Sequence, residues 1–90
     1  MYKSTLPDVK GKNYQHEGVV RAFIEADDYD GNVCDMLDAG MEYLERQAEM
    51  LGADGVIGIT MVSASTYMQD DYGGTYPDVI VYGTAITFID

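Results

Sequence analysis

Ninety residues, one cysteine and a formal net charge of −11 bound this chain to a single small domain over residues 1–90, with no disulfide framework of its own and little attraction for nucleic acid, itself a dense anion. A domain of this size buries a modest share of its surface, so subunit partners, metals or disulfides commonly complete it. No apolar run reaches the roughly 18 residues of a membrane span, the start MYKSTLPDVKG carries no secretory signal, and a lone thiol suits a reducing compartment; the expected setting is cytoplasmic, without membrane or nucleic-acid partners.

The charge is unevenly placed. Residues 1–26 sum to +1 and residues 27–90 to −12. Solubility accounts for this most simply. Two sharper readings stand beside it: an amino-terminal layer of positive potential on an acidic body, and an acidic surface that captures a basic protein.

In chain order, Met1–Leu6 alternates weakly and is cut off by Pro7, which predicts a short edge strand. Asp8–Asn13 is a turn around Gly11. Tyr14–Glu25, with Val19, Val20, Phe23 and Ile24, is a second strand in which Gly18 marks a bulge. The acidic run Asp27–Asn32 is a loop, and Asp30 or Asn32 supplies the oxygen that caps the following helix. Val33, Leu37, Gly40/Met41, Leu44, Ala48 and Leu51 then recur at three- and four-residue steps, one apolar stripe of an amphipathic helix that stops at Gly52.

Strand three, Val56–Ser63, and strand four, Val79–Ile89, carry apolar residues at both parities. Strands apolar on both faces need cover on both. One helix covers one face, so the other calls for a neighbouring subunit. The connection Ala64–Asp78 is long for a hairpin, rich in glycine and acid, and holds Tyr67, Tyr72 and Tyr76 as flat contact surfaces.

The segment AEMLGADGVIGI and the closing YGTAITFID resemble the YbjQ-like family of small proteins, as do Ser4-Thr5-Leu6-Pro7 and the Gly18-Val19-Val20 strand. The resemblance spans nearly the whole chain, with Leu51–Ile59 and Gly83–Ala85 its specific parts. It implies an α+β subunit of order β-β-α-β-β, one helix on a mainly antiparallel four-stranded sheet, assembled into a ring that is most plausibly a homopentamer. Members are often labelled heavy-metal-binding, and no shared catalytic set carries over. The chain departs from the family pattern in a shorter Ala26–Asn32 segment and a longer, tyrosine-rich Ala64–Asp78 loop, so ligand identity does not transfer.

Catalysis finds little support. His16 and Glu17, adjacent on a strand, point to opposite faces and form no dyad. Cys34 near a helix start would favour the thiolate, but Asp28, Asp30, Asp35 and Asp38 oppose it, and packing is its simpler role. For a metal, His16, Cys34, Asp28 and Asp30 are weak candidates; one thiol and one imidazole per chain make a soft site only if a ring multiplies them, and the acidic loop has Asp38 where a calcium-binding loop starting at Asp27 would need its twelfth-position glutamate. The preferred expectation is a non-enzymatic oligomer without cofactor, of phage or bacterial origin, holding an anionic, nucleotide-derived molecule in pockets between subunits. Its candidate contacts are Lys3, Lys10, Lys12, Arg21, Tyr67, Tyr72, Tyr76, Tyr82 and Thr84. A metal- or divalent-cation-binding ring and an acidic decoy for a basic partner are the alternatives.

Overall fold

The computed structural model describes residues 1–64 and 78–89. The elements are β1 (Tyr2–Lys3), β2 (Tyr14–Ile24), a 3-10 turn (Ala26–Tyr29), α1 (Val33–Met50), β3 (Gly55–Ala64) and β4 (Asp78–Phe88). The four strands form one mixed sheet in the order β1-β3-β4-β2. β4 is antiparallel to both neighbours, while β1 runs parallel to β3, with Tyr2 beside Gly55. The first strand is thus shorter than the Met1–Leu6 segment suggests, although the chain beyond it still follows β3: Ser4 donates to Val56 O at 3.0 Å and Gly58 donates to Leu6 O at 2.8 Å.

α1 begins where Asn32 accepts from the Asp35 amide at 3.2 Å, one of the two caps expected. Asp30, the other, instead takes a left-handed conformation that closes the 3-10 turn. Within the helix Met36, Gly40, Leu44 and Ala48 are buried. The predicted stripe holds through its middle and fails at its ends: Val33 and Leu51 are exposed, and Met36, four residues before Gly40, takes the inward place. The fit of helix to sheet is tight at Gly40, where a Cβ would stand 2.6 Å from Val81 Cγ2.

Val20, Ala22 and Ile24 of β2, Val79, Val81 and Ala85 of β4, and Val56 and Ile59 of β3 join the buried helix residues in the main core. The other sheet face is divided. Over its lower part the chain folds back on itself, and Val9 packs on Ile57 and Ile86 with Tyr14 and Phe88 at the margin. Over its upper part the laterally paired rows Val19/Thr84, Arg21/Tyr82/Thr60 and Phe23/Ile80/Val62 point away from the helix. Val19 is 71% exposed, Phe23 53%, Val62 44% and Tyr82 40%.

β2 is an outer strand of the sheet. In its second half the Arg21 amide donates to Gln47 Oε1 at 3.0 Å, and the Gln47 Nε2 group donates back to the Arg21 carbonyl. A side chain from α1 therefore occupies the backbone of an open strand edge. The bulge expected at Gly18 lies there, between His16 and Gly18 in the pairing with β4.

Candidate functional site

The parallel pairing of β1 with β3 brings both ends of the described chain together at the lower end of the sheet. Asp54, in the turn between α1 and β3, holds them. Its carbonyl accepts the Tyr2 amide at 3.2 Å and its carboxylate accepts the Phe88 amide at 2.9 Å. The two rings meet edge to face, with centroids 5.9 Å apart and planes inclined by 74°. The returning segment Leu6–Lys12 completes the wall, and between it and the rings lies an open cleft of about 540 Å³ lined by Tyr2, Leu6, Asp8, Val9, Lys10, Lys12 and Phe88.

The electrostatics of this cleft run against those of the chain. Lys12 Nζ stands 4.8 Å from the centroid of the Phe88 ring, where the ring's negative face attracts it. Lys10 stands on the same rim. The Asp8 carboxylate is already engaged, accepting from Tyr14 Oη at 2.7 Å and from the Val9 amide at 2.8 Å. Those two bonds hold its carboxyl below the ordinary carboxylate range, and the same contact with Asp8 pushes the Tyr14 phenol up. Asp8 also attracts Lys10, so the residues that line the cleft carry two cations against one carboxylate, with the Asp54 carboxylate behind the Phe88 amide.

Of the residues expected to hold a ligand, Lys10 and Lys12 are brought together here. Lys3 is not among them, because its ammonium pairs with Glu45 of α1 at 3.2 Å. Arg21, Tyr82 and Thr84 lie on the upper part of the helix-free face, with Arg21 also bordering a shallow groove of about 200 Å³ beside Phe23, Tyr43 and Gln47. Tyr67, Tyr72 and Tyr76 lie outside the described residues. Tyr2 and Phe88 were not read from the sequence. Nothing in their spacing links positions so far apart; the pairing of β1 with β3 does it.

The metal candidates are dispersed. His16 sits on the lower part of β2, tilted against Tyr14 at 5.7 Å between ring centroids. Cys34, exposed in the first turn of α1, follows the opposite end of that strand. Asp28 and Asp30 are exposed in and after the 3-10 turn. Among the described residues no three histidine, cysteine, aspartate or glutamate side chains gather as a metal centre requires. Glu17 does not address His16 either: its carboxylate accepts from Gln15 and from Thr87, and those bonds hold it below the ordinary range. Among the described residues, no helix is long and apolar enough to cross a membrane.

Comparison with known proteins places this geometry. A family model described as "Putative heavy-metal-binding", YbjQ, matches residues 9–89. Among solved structures, the chain is similar to a protein of unknown function of the DUF74 family from Pediococcus pentosaceus, with a TM-score of 0.75 and 22% identity over 99% of this chain and 98% of that one. That likeness is one of fold. No curated protein matches at the same stringency.

Proposed function

The chain belongs to the YbjQ family, and from that membership we propose that it is a non-enzymatic, homo-oligomeric binding protein whose small-ligand pockets form where copies meet. The observation that carries this reading is the upper half of the helix-free sheet face, where Val19, Phe23, Val62 and Tyr82 stand in solvent on adjoining strands. Exposed apolar side chains clustered in this way around Arg21 and the threonines make, on a small chain, a contact surface in want of a partner. A second copy is the simplest partner, since closed homo-oligomers are the common assembly of soluble chains. In this reading the assembly is a ring, most plausibly of five subunits, and its ligand is an anionic, nucleotide-derived molecule held without turnover. The cleft opens on the same sheet face, so a copy seated above it would add walls.

The family's description favours a heavy metal as cargo. The donors of one described chain do not fit it, and a soft site here would need Cys34 or His16 contributed by several subunits around an axis.

Sedimentation velocity on a dilution series tests the assembly. The expected result is a single species several times the 9.9 kDa chain mass that Phe23→Glu reduces to smaller, still folded units. A folded monomer at micromolar concentration sinks the proposal. Native mass spectrometry with zinc or copper decides the metal reading: adducts lost together in Cys34→Ser and His16→Gln would restore it.

A further inference from the structure

We infer that the cleft bounded by Tyr2, Leu6, Lys10, Lys12 and Phe88 is a binding site, within a single chain, for a small molecule that carries both a flat ring and an anionic group, as a nucleoside monophosphate does. The inference rests on the reading of this protein as a binding protein, but not on the interfaces between copies. Three observations converge on it.

The first is where the free positive charge lies. The chain has five lysines and arginines against sixteen acidic residues. Lys3 and Arg46 are taken up by Glu45 and Glu42. Of the three lysines and arginines without a close salt bridge among the described residues, two line this cleft, with Asp8, which attracts Lys10, as the one carboxylate in its lining. On a body with a net charge of −11 such a pair gives an anion a local foothold, because distant charge is screened beyond about 8 Å at physiological salt while the contact charges are not.

The second is the ring surface. The backbone amides of Phe88 and Tyr2 are both held by Asp54, one by its carboxylate and the other by its carbonyl. Their mutual edge-to-face contact leaves aromatic surface toward the cleft, with Leu6 and Val9 as the apolar wall. A planar ring entering there stacks on these rings as Lys12 moves off the Phe88 face. Lys12, now resting over Phe88, is within a side-chain swing of an anionic group on that ring.

The third is size. About 540 Å³ lies within the usual span of small-molecule sites, and the mixture of a mostly apolar lining with a few polar groups is the usual makeup of such sites. Neither a bare phosphate nor a bare ring uses both halves of the cleft.

Isothermal titration with AMP, adenosine and inorganic phosphate tests this, on wild type, Lys10→Gln/Lys12→Gln and Arg21→Gln. AMP is expected to bind at least about tenfold more tightly than either fragment, since each makes half the contacts. The double lysine variant is expected to lose about tenfold or more in AMP affinity with its melting temperature unchanged, while Arg21→Gln stays within about twofold. Phe88→Leu, which keeps apolar volume but removes the ring, should weaken AMP and adenosine while leaving inorganic phosphate unchanged. Phe23→Glu should retain AMP binding even where it breaks the assembly. The proposal is overturned if no probe saturates, if AMP binding survives the double substitution, or if it disappears with Phe23→Glu in a folded protein. In the last case the pocket belongs to the interface and the oligomeric reading stands without the cleft. A monomeric wild type that binds AMP through Lys10 and Lys12 would leave the cleft standing and remove the assembly.

Discussion

At the scale of single residues, the pair formed by Asp8 and Tyr14 shows how the returning segment is tied to the sheet. Asp8 accepts the Tyr14 hydroxyl at 2.7 Å, and each partner's ionisation is altered by the other: the carboxyl falls below its ordinary 3.8 and the phenol rises above its ordinary 10.0. The signs follow by linkage. A depressed carboxyl contributes stability that is present above 3.8 and lost as pH falls through the lowered folded value. A raised phenol contributes stability that is present below 10.0 and lost as pH rises through the raised folded value. Tyr14→Phe should therefore be less stable than wild type across the neutral range, and the difference should shrink in acid; urea denaturation at a series of pH values measures it. A constant difference down to strongly acid pH would show that the bond is not what shifts the carboxyl. Neither partner was singled out in the sequence, where Asp8 is one more turn residue. Lys10 and Lys12 were legible as candidates because cations are scarce in so acidic a chain; the rings that share their cleft were not, because long-range pairing brings them there.

Elements were the most readable level, for a physical reason: periods of two and 3.6 follow from backbone geometry before any tertiary contact forms. β2, α1, β3 and β4 fall within a residue or two of their expected bounds. What periodicity does not carry is how far an element extends past its support, which is why Val33 and Leu51 point outward despite fitting the stripe. The family segment Leu51–Ile59 also gains a meaning the sequence could not give it. Gly52, with φ +71°, ends the helix, Asp54 fixes the two strand ends, and Gly58, with φ +61°, allows the irregular step between Ile57 and Thr60. The Gly83-Thr84-Ala85 element is likewise a matter of packing at its first position, where a Cβ would lie 2.8 Å from Val56 Cγ1. These shared residues build the scaffold and position the cleft without lining it. Helix and sheet approach each other through Gly40 in the same way. Gly40→Ala, which in a free helix is worth about 1 kcal/mol of stabilisation, should here lose that gain and destabilise by up to about 2 kcal/mol net, since buried overpacking costs about 1–3 kcal/mol and Val81, fully buried, has nowhere to go. A thermal melt decides the sign; a raised midpoint would mean the helix sits farther from β4 than described.

For the whole molecule, two properties would pull against each other in the proposed assembly: an exposed apolar half-face and a charge of −11 on every copy. Apolar contact is indifferent to moderate salt, whereas repulsion between like-charged bodies weakens as the screening length falls from about 30 Å at 0.01 M to about 8 Å at 0.15 M. The proposed assembly, measured by sedimentation, should therefore tighten over that range. Loosening instead would mean that the copies meet through opposite charges, the +1 amino-terminal part of one against the acidic remainder of another. The charge imbalance was visible from composition. Which half of the face is bare was not, because the chain's own Val9 segment covers the rest.

The glutamine that reaches from α1 to the Arg21 backbone has a consequence for growth. An outer strand with vacant amides and carbonyls is a template on which further strands accrete end over end into fibres. By occupying the Arg21 backbone, Gln47 interrupts that ladder and takes a site of strand addition away from the edge.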